Sequence, residues 1–429
     1  MHIVIIGNGI AGVTAARELR KRDAKVRITM ISGESEHHFS RPALMYIYMG
    51  HMGYAQTKPY PDSFWADNRI ELIRGWVSLV EASTRTLRFE GGRTLRYDQL
   101  LIATGSRPNR FDWPGQELQR VSGMYSLQDL ARLEAASPSL RRGAVVGGGL
   151  IGVELAEMMH SRGIGVTMLV RESSYWNGGL PAEESRIVTE VIREQGIDLR
   201  LSTELVQIEA DDHGRACAVL DSTGSRTEVG FVGLCAGVSP NVAFLEGSGI
   251  EVGRGVRVDC QLRSSTAHVF AAGDCAEVVR STDQAGQVVA VWYTGRKMGE
   301  TVAANILGQE QRYEPGVWFN SAKFFDLEYQ VYGEVPAETA GVEPDTAPSS
   351  SLFWMADDRR HSVRIVHRNG RVVGFSLLGI RYRHRVCERW IEEQRSIDEV
   401  LAQLKDAHFD PELQRGWDRE IIRALGAQA

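Results

Sequence analysis

Two short glycine-rich segments in this chain have the residue types and spacing that bind phosphate groups. The first glycine motif, Gly7-Asn8-Gly9-Ile10-Ala11-Gly12, follows the apolar run 3–6, and the second, Gly147-Gly148-Gly149-Leu150-Ile151-Gly152, follows the apolar run 144–146. In a strand-turn-helix unit the first glycine permits a tight turn, the second lets backbone amides reach a pyrophosphate, and the third lets the helix pack on the strand. The phosphates then lie at the positive N-terminus of the helix. Two such motifs predict that the chain holds two dinucleotides.

Length and composition predict a globular protein of two or three domains. The chain has 429 residues, of which 43% are hydrophobic and 24% are charged, and this length exceeds what one core normally supports. The formal net charge of −6 argues against a nucleic-acid-binding protein. Because no apolar run approaches the ~20 residues of a spanning helix and no signal peptide is evident, we expect a cytoplasmic protein without a membrane span, either a monomer or a homodimer.

The cysteines lie far apart in the sequence. None is within five residues of another, so there is no C-x-x-C and no zinc-like cluster, and we expect no metal site. Free thiols are the favoured state, because we expect a reducing compartment. The five positions are Cys217, Cys235, Cys260, Cys275 and Cys387.

The elements around the motifs follow a repeated strand-helix-strand pattern. The periodicity predicts strands at 3–6, 26–31, 98–103 and 166–170, and helices at about 11–21 and 151–162. From about residue 315 the segments become aromatic and alternating, which predicts an antiparallel sheet with an exposed loop at 338–351. Helices are expected at about 397–404 and 412–425.

These segments together resemble the pyridine nucleotide-disulfide oxidoreductase superfamily, whose members are flavoproteins with two dinucleotide-binding domains. The resemblance covers roughly residues 1–310 and depends on both glycine motifs, on Ala103-Thr104-Gly105-Ser106-Arg107-Pro108 and on Gly273-Asp274. Within the superfamily, Phe39-Ser40-Arg41-Pro42-Ala43-Leu44 and Gly152-Val153-Glu154-Leu155-Ala156 are most similar to ferredoxin and rubredoxin reductases, apoptosis-inducing-factor-like proteins and nitrite reductase flavin modules.

The resemblance implies an α/β fold with two Rossmann-like domains, the NAD(P) domain being inserted in the FAD domain, plus a C-terminal α+β domain. The implied boundaries are 1–115 and 241–314 for the FAD domain, 116–240 for the NAD(P) domain and 315–429 for the C-terminal domain. The first motif would hold FAD, the second would hold NAD(P)H, and Asp274 would hydrogen-bond the ribityl chain of FAD. The predicted cofactor-binding residues are Gly7, Gly9, Ile10, Ala11, Gly12, Glu34, Arg41, Pro42, Val77, Thr104, Gly105, Arg107, Gly147, Gly149, Leu150, Ile151, Gly152, Arg171, Glu172, Gly237, Gly273, Asp274 and Trp292.

Charged residues near the first motif suit the polar parts of FAD. An acid about 20 residues past the last glycine accepts the ribose hydroxyls of the adenosine. Glu34, 22 residues past Gly12, fits this role, with Glu36 as the alternative. Arg41 could neutralise the pyrophosphate.

The corresponding position of the second site carries two neighbouring charges of opposite sign. Arg171 lies 19 residues past Gly152, and Glu172 follows it. An arginine there pairs with a 2′-phosphate, whereas a carboxylate accepts ribose hydroxyls. The sequence predicts NAD(P)H as the electron donor and favours NADPH slightly.

The kind of electron acceptor is predicted from the residues that would lie next to the flavin ring. Disulfide reductases of the superfamily keep cysteine near the segment 41–48, but no cysteine precedes Cys217 here. We therefore expect an enzyme, an FAD-dependent NAD(P)H oxidoreductase that passes electrons to an external acceptor, most simply a small redox protein such as ferredoxin or rubredoxin. A quinone or small-molecule reductase is one alternative, and a slowly turning over, redox-gated binding protein of the apoptosis-inducing-factor kind is another.

Two residues are candidates for tuning the nicotinamide side of the flavin. Ferredoxin reductases have a lysine near the flavin N5 that pairs with the glutamate of the second motif's helix. This chain keeps Glu154 but has Tyr46 where the lysine aligns. A buried glutamate without a cationic partner should have a raised pKa. A basic run at 381–385, together with Arg359, Arg360 and His361, could dock an acidic iron-sulfur carrier.

Overall fold

The computed structural model describes residues 1–280, 285–337, 349–409 and 416–428. The described chain forms two compact units, and it enters and leaves each of them more than once. Unit 1 comprises Met1–Phe111, Ser122–Pro138 and Gly237–Pro315, whereas unit 2 comprises Asp112–Val121, Ser139–Ala236 and Gly316–Ala429.

Unit 1 is built on a parallel five-stranded sheet. Its apolar strands are buried on both faces, as parallel sheets require, and Ile3, Val4 and Ile5 have no exposed surface. In spatial order the strands are β19 (Val269–Ala271), β7 (Gln99–Ile102), β1 (His2–Ile6), β2 (Arg27–Ser32) and β3 (Ile70–Arg74).

Unit 1 contains five helices, which are α1 (Ile10–Arg22), α2 (Leu44–Tyr48), α3 (Phe64–Asp67), α4 (Leu127–Ala136) and α7 (Trp292–Ile306). Of these, α1, α3 and α7 pack against this sheet. Helix α4 begins at a capping box, in which the Ser126 hydroxyl accepts from the Asp129 amide at 3.1 Å. Helices α1 and α7 pack closely because α7 carries glycines at the contact: a Cβ at Gly299 would lie 2.6 Å from the Ala11 carbonyl oxygen.

Three smaller sheets complete unit 1. An antiparallel meander contains β4 (Val77–Glu81), β5 (Thr86–Phe89) and β6 (Thr94–Arg96); β8 (Ser106–Pro108) pairs antiparallel with β17 (Val238–Pro240); and β18 (Val256–Val258) pairs parallel with β20 (Ala276–Val278).

Unit 2 contains a second parallel sheet with the same local plan as the first. Its strands are β12 (Asp198–Arg200), β11 (Gly165–Leu169), β10 (Arg142–Val146) and β16 (Val232–Leu234), and β9 (Val121–Ser122) lies where the chain passes into unit 1. Helix α5 (Leu150–Ser161) follows β10, and α6 (Ala182–Glu194) is strongly amphipathic. An antiparallel sheet of β13 (Leu205–Ala210), β14 (Ala216–Asp221) and β15 (Arg226–Glu228) follows.

The C-terminal part of unit 2 is an antiparallel sheet covered by helices. The strand order is β21 (Phe319–Phe324), β22 (Leu327–Gly333), β25 (Arg371–Leu378), β24 (Ser362–Arg368) and β23 (Ser350–Met355). The helices are α8 (His384–Glu392), α9 (Ile397–Ala402) and α10 (Asp418–Gly426). In the part of the chain that the structure describes, no helix is long and apolar enough to cross a membrane.

The predicted elements lie close to the observed ones. The helices predicted at 11–21 and 151–162 are α1 and α5, each displaced by one residue at its start. Residues 338–348 of the predicted loop and 412–415 of the last predicted helix lie outside the described residues. Ser350 and Ser351, at the end of that loop, instead begin β23.

Candidate functional site

The first glycine motif forms a tight turn with open space above its middle glycine. Gly7 has a φ of +112°, and a Cβ there would lie 2.1 Å from the Ala103 carbonyl oxygen. A Cβ at Gly12 would lie 2.1 Å from the Gly7 carbonyl oxygen, whereas a Cβ at Gly9 would meet nothing within 4 Å among the described residues. No side chain caps the N-terminus of α1. The free amides and the helix dipole at that end fit an anion such as the pyrophosphate of FAD.

The asparagine within the motif binds the segment that follows β2. Asn8 Nδ2 donates to the Ser35 carbonyl oxygen at 3.1 Å and to Ser35 Oγ at 3.0 Å. His38 Nδ1 lies 2.8 Å from the Asn8 carbonyl oxygen, as its N–H donor. Burial lowers the pKa of His38 to about 4, so this ring is neutral at neutral pH. Asn8, Ser35 and His38 are not among the residues predicted from the sequence, although a short amide side chain inside a glycine turn was a usable signal.

Glu34 and Arg41, predicted to bind different parts of FAD, form an ion pair. Arg41 Nη2 lies 2.6 Å from Glu34 Oε2 and Nη1 lies 3.0 Å from Oε1. The Leu127 amide donates to Glu34 Oε1 at 3.1 Å, and the guanidinium lies over the Tyr125 ring, 4.4 Å from its centroid. Both charged groups are therefore held in position before any cofactor arrives.

Asp274 is partly buried and interacts electrostatically with the same arginine. Ser106 Oγ donates to Asp274 Oδ2 at 3.2 Å. Burial raises the pKa of Asp274, while the Ser106 hydrogen bond and the positive charge of Arg41 oppose the rise. Arg41 therefore acts electrostatically on both Glu34 and Asp274, the two acids predicted to bind the ribose and the ribityl chain.

Other residues predicted to bind cofactor also belong to unit 1. Trp292 begins α7 and is 38% exposed, with its ring 5.1 Å from that of Tyr293. Thr104 Oγ1 donates to the Asn241 carbonyl oxygen at 2.7 Å. The others are Pro42 in a 3-10 turn, Val77 at the start of β4, Gly105 with positive φ, Arg107 in β8, Gly237 with positive φ and Gly273 beside Ala11.

The second glycine motif repeats the geometry of the first. A Cβ at Gly147 would lie 2.4 Å from the Cys235 carbonyl oxygen, and one at Gly152 would lie 2.5 Å from the Gly147 carbonyl oxygen. Above Gly149, nothing in the described chain lies within 4 Å of such an atom. Leu150 and Ile151 begin α5, whose N-terminus has no side-chain cap. This unit fits a second dinucleotide.

Backbone hydrogen bonds align the residues that follow β2 and β11. The Gly7 amide donates to the Ile31 carbonyl oxygen at 2.8 Å, and the Gly147 amide donates to that of Leu169 at 2.9 Å. Counting from these equivalent residues, Glu172 takes the position of Glu34. Arg171 pairs with Glu172 at 3.0 Å, and its side chain is 71% exposed.

Helix α5 carries two carboxylates on one face, and only one of them has an ion pair with the C-terminal sheet. Glu157 Oε1 lies 2.5 Å from Lys323 Nζ on β21. Burial, with a smaller contribution from the Glu157 charge, raises the pKa of Glu154 to about 7, and Lys323 opposes the rise. The predicted rise in the pKa of Glu154 is therefore present. Tyr46, its predicted companion, lies on α2 in unit 1, where its ring stacks 5.9 Å from that of His51.

The cysteines have no disulfide in this structure. Cys235, Cys260, Cys275 and Cys387 are buried and Cys217 is partly exposed. Among the described residues, no group of three or more His, Cys, Asp or Glu side chains could hold a metal ion.

A parallel-sheet fold with two glycine turns, each open at a helix N-terminus, defines a protein class that holds two dinucleotides. The comparisons with known proteins give that class a name. The family model described as pyridine nucleotide-disulphide oxidoreductase matches residues 1–299, and the chain belongs to this family.

Two relatives and one solved structure illustrate the likeness. The chain is 31% identical over 358 residues to the nitric oxide reductase FlRd-NAD(+) reductase of Escherichia coli (strain 55989 / EAEC), covering 83% of this chain and 92% of the relative. It is 30% identical over 377 residues to the anthranilate 1,2-dioxygenase system ferredoxin--NAD(+) reductase component of Burkholderia cepacia, covering 86% and 92%. The ferredoxin reductase for the CYP199A2 system from Rhodopseudomonas palustris has the same fold, with a TM-score of 0.79, 24% identity and coverage of 88% and 91%.

These findings confirm the predicted superfamily, the α/β fold with two Rossmann-like domains, and the class of enzyme, a flavin-dependent oxidoreductase. FAD and a pyridine nucleotide are accordingly its cofactors. The roles of the individual site residues stay predictions.

Proposed function

We propose that this protein takes electrons from a reduced pyridine nucleotide through FAD and delivers them to a small redox protein of the ferredoxin or rubredoxin type. The observation that carries the proposal is the absence of cysteine from the segment 41–48, since no cysteine precedes Cys217 in the sequence. The names of the relatives support it, because they are reductases of flavorubredoxin and ferredoxin.

Two of the buried cysteines are poorly suited to thiol chemistry. The thiolate is the reactive form, and a raised pKa keeps a thiol protonated. Burial raises the pKa of Cys275, whose Sγ lies 3.4 Å from the Ile102 carbonyl oxygen. Burial also raises the pKa of Cys387. These two thiols are therefore poor electron acceptors, which supports an acceptor outside the chain.

The residues of unit 1 would hold FAD along its length. The amides at the start of α1 would bind the pyrophosphate, with Arg41 supplying a positive charge. Glu34 would accept from the ribose hydroxyls and Asp274 from the ribityl hydroxyls. When bound, FAD accepts a hydride from the nicotinamide and passes electrons onward singly or in pairs.

We propose NADH as the donor for the second site. The sequence favoured NADPH because Arg171, which could pair with a 2′-phosphate, lies two residues after the end of β11. The backbone register favours NADH, because Glu172 takes the place of Glu34 and a carboxylate there repels a 2′-phosphate. The ion pair of Arg171 with Glu172 also engages the guanidinium that a 2′-phosphate would need.

Glu154 and Tyr46 remain our candidates for the nicotinamide side of the flavin. With a pKa of about 7, Glu154 exists in both protonation states near neutral pH. In its protonated form it donates and accepts hydrogen bonds, as does the carboxamide of nicotinamide.

For the acceptor we propose a surface on α8. Most of the basic residues singled out from the sequence are paired with acids: Arg360 with Glu194 and Asp326, His361 with Asp358, and Arg381 with Glu328. Arg385 and Arg389 are exposed and lie four residues apart on α8, with Arg383 at its N-cap. These three arginines would face an acidic carrier.

Anaerobic stopped-flow spectroscopy of the FAD-loaded protein tests the proposal. We expect NADH to bleach the flavin absorbance rapidly and an added ferredoxin or rubredoxin to restore it. Rapid reoxidation by quinone alone would support the small-molecule reductase instead. Slow reoxidation by carrier, quinone and oxygen alike would support the redox-gated binding protein.

A further inference from the structure

We propose that Lys323 and Glu157 are positioning residues that set the pH at which Glu154 loses its proton: the Glu157 charge holds the proton and the Lys323 charge opposes it, so that Glu154 still offers an O–H donor at the second dinucleotide site near neutral pH. The inference deepens the proposed function and rests on it, because it names what sets the hydrogen-bonding state of a residue beside the nicotinamide. The cluster of Glu154, Glu157 and Lys323 is called the charged triad below.

The geometry brings three charges together in one unit. Glu154 and Glu157 are three residues apart on α5 and therefore lie on the same helix face. Lys323 reaches Glu157 from β21, and the side chains of Glu157 and Lys323 are 9% and 26% exposed. Two carboxylates with one ammonium leave a net charge of −1, and poorly hydrated like charges favour uptake of a proton. Because Lys323 bonds Glu157 directly, the proton belongs on Glu154.

The triad lies next to the glycine turn of the second motif. The Tyr175 hydroxyl donates to the Gly149 carbonyl oxygen at 2.9 Å, and this tyrosine is fully buried. Burial raises the pKa of Tyr175, and the charge of Glu154 raises it further. Glu154 is thus close enough to the turn to act on a group that holds it.

Among the described residues, the other elements packed on α5 bring few further charges to Glu154. Helix α5 contacts β10, β11, β16 and β21. On β21 the charged group is Lys323. Arg142 on β10 donates to Thr167 on β11 at 3.0 Å. Cys235, directly after β16, acts on Tyr175, and His160 of α5 itself packs 5.9 Å from the Phe325 ring.

Substitution of the two positioning residues should move the titration of Glu154 in opposite directions. Lys323→Met removes the cation that favours the ionised form, so the proton is held to higher pH. Glu157→Gln removes the like charge and ends its ion pair with Lys323, so Glu154 ionises at lower pH. We expect each midpoint to move by about one pH unit. An ion pair that served only to tether β21 to α5 would weaken in both variants and move neither midpoint.

The experiment is an infrared pH titration of the purified protein with FAD bound. The C=O band of the protonated carboxyl is assigned by its loss in Glu154→Gln, and its midpoint is measured in the wild type, Lys323→Met, Glu157→Gln and Lys323→Arg. Opposite shifts for the first two variants and a retained midpoint for Lys323→Arg support the proposal. Shifts in one direction, or none, overturn it.

A matched control breaks a different ion pair between the same two parts of unit 2. Arg364 on β24 holds the buried Glu184 of α6 through two bonds of 2.8 Å. Arg364→Met should lower stability and leave the Glu154 midpoint in place. Arg360→Met, which removes the exposed pair with Glu194, serves if Arg364→Met does not fold.

A second readout connects the triad to the nucleotide. The pH at which the rate of flavin reduction by NADH changes should follow the infrared midpoint in each variant. A wild-type protein that NADH does not reduce would contradict the proposed function but not the charge assignment, since the infrared titration contains no nucleotide. The two failures are therefore distinguishable.

Discussion

The Arg41 guanidinium and the Glu34 carboxylate face each other with two hydrogen bonds, of 2.6 and 3.0 Å. This pair presets a positive charge beside the first glycine motif. We expect Arg41→Met to weaken FAD binding by tenfold or more, because a hydrogen bond to a charged group contributes about 1.5–3 kcal/mol. Fluorescence titration of the apoprotein with FAD measures the affinity. Arg88→Met, which removes an exposed pair with Glu81 in the meander, is the control and should leave the affinity unchanged.

Alanine substitutions at two glycines of the first motif should affect folding and cofactor binding differently. Gly7→Ala puts a Cβ against the Ala103 carbonyl at positive φ and should destabilise the protein by about 2–4 kcal/mol. Gly9→Ala meets open space, so the apoprotein should lose about 1 kcal/mol or less while FAD affinity falls. Thermal unfolding with and without FAD distinguishes the two. Normal FAD affinity in Gly9→Ala would contradict a pyrophosphate at that turn.

The choice of nucleotide should depend on Glu172. If Glu172 accepts the ribose hydroxyls, Glu172→Gln should lower kcat/KM for NADH about tenfold and favour NADPH in comparison. Arg171→Gln should change the NADH value little. Steady-state rates with both nucleotides test this, and a selective loss of NADPH activity in Arg171→Gln from a wild type that prefers NADPH would restore the assignment made from the sequence.

Glu154 should make stability depend on pH in a defined direction. Its pKa in the folded state, about 7, is above the ordinary value of 4.5. Between these two values the folded protein holds a proton that the unfolded chain has released, so stability falls as the pH rises from 4.5 to about 7. Glu154→Gln should gain stability over the wild type between pH 5 and pH 8.5, on the order of 1–3 kcal/mol. Urea unfolding at both pH values measures the difference; an equal difference at both would contradict the raised pKa.

His38 should make the folding stability depend on pH in the opposite direction, with stability lost as the pH falls. Its folded-state pKa of about 4 is below the ordinary 6.5. The unfolded chain binds the proton first, so the stability that the neutral ring contributes is lost as the pH falls from 6.5 toward 4. His38→Gln, which can still donate to the Asn8 carbonyl, should flatten this part of the stability profile. Unfolding measured between pH 7 and pH 4.5 tests it.

Local patterns determined much of what the sequence could reveal. The apolar runs before Gly7 and Gly147 predicted β1 and β10, and the glycine spacing predicted both turns, because each of these features is set within a dozen residues. Counting along the chain was less reliable at the second site. Counting from the last glycine of the motif put Arg171 at the usual spacing for the residue that binds the ribose. Helix α5, however, is one residue shorter than α1. The backbone hydrogen bonds therefore place Glu172, and not Arg171, at the position equivalent to Glu34.

Long-range partners could not be predicted from one sequence. Lys323 and Glu157 are 166 residues apart, and Arg364 and Glu184 are 180 residues apart. No periodicity or spacing rule links such positions, because their meeting depends on how β21 and β24 pack on α5 and α6. The sequence showed that Glu154 needed an explanation, and only the fold showed which cation lies near it.

The buried bond between Arg364 and Glu184 limits how this protein can be shortened or recombined. Glu184 has no exposed surface, and its partner comes from beyond residue 315. A fragment ending at Pro315 would lose the Arg364 counter-charge of that carboxylate and the Lys323 counter-charge of Glu157. Exchange of the C-terminal region for a foreign one must therefore bring two cations to the same places, so the region is not a freely interchangeable module.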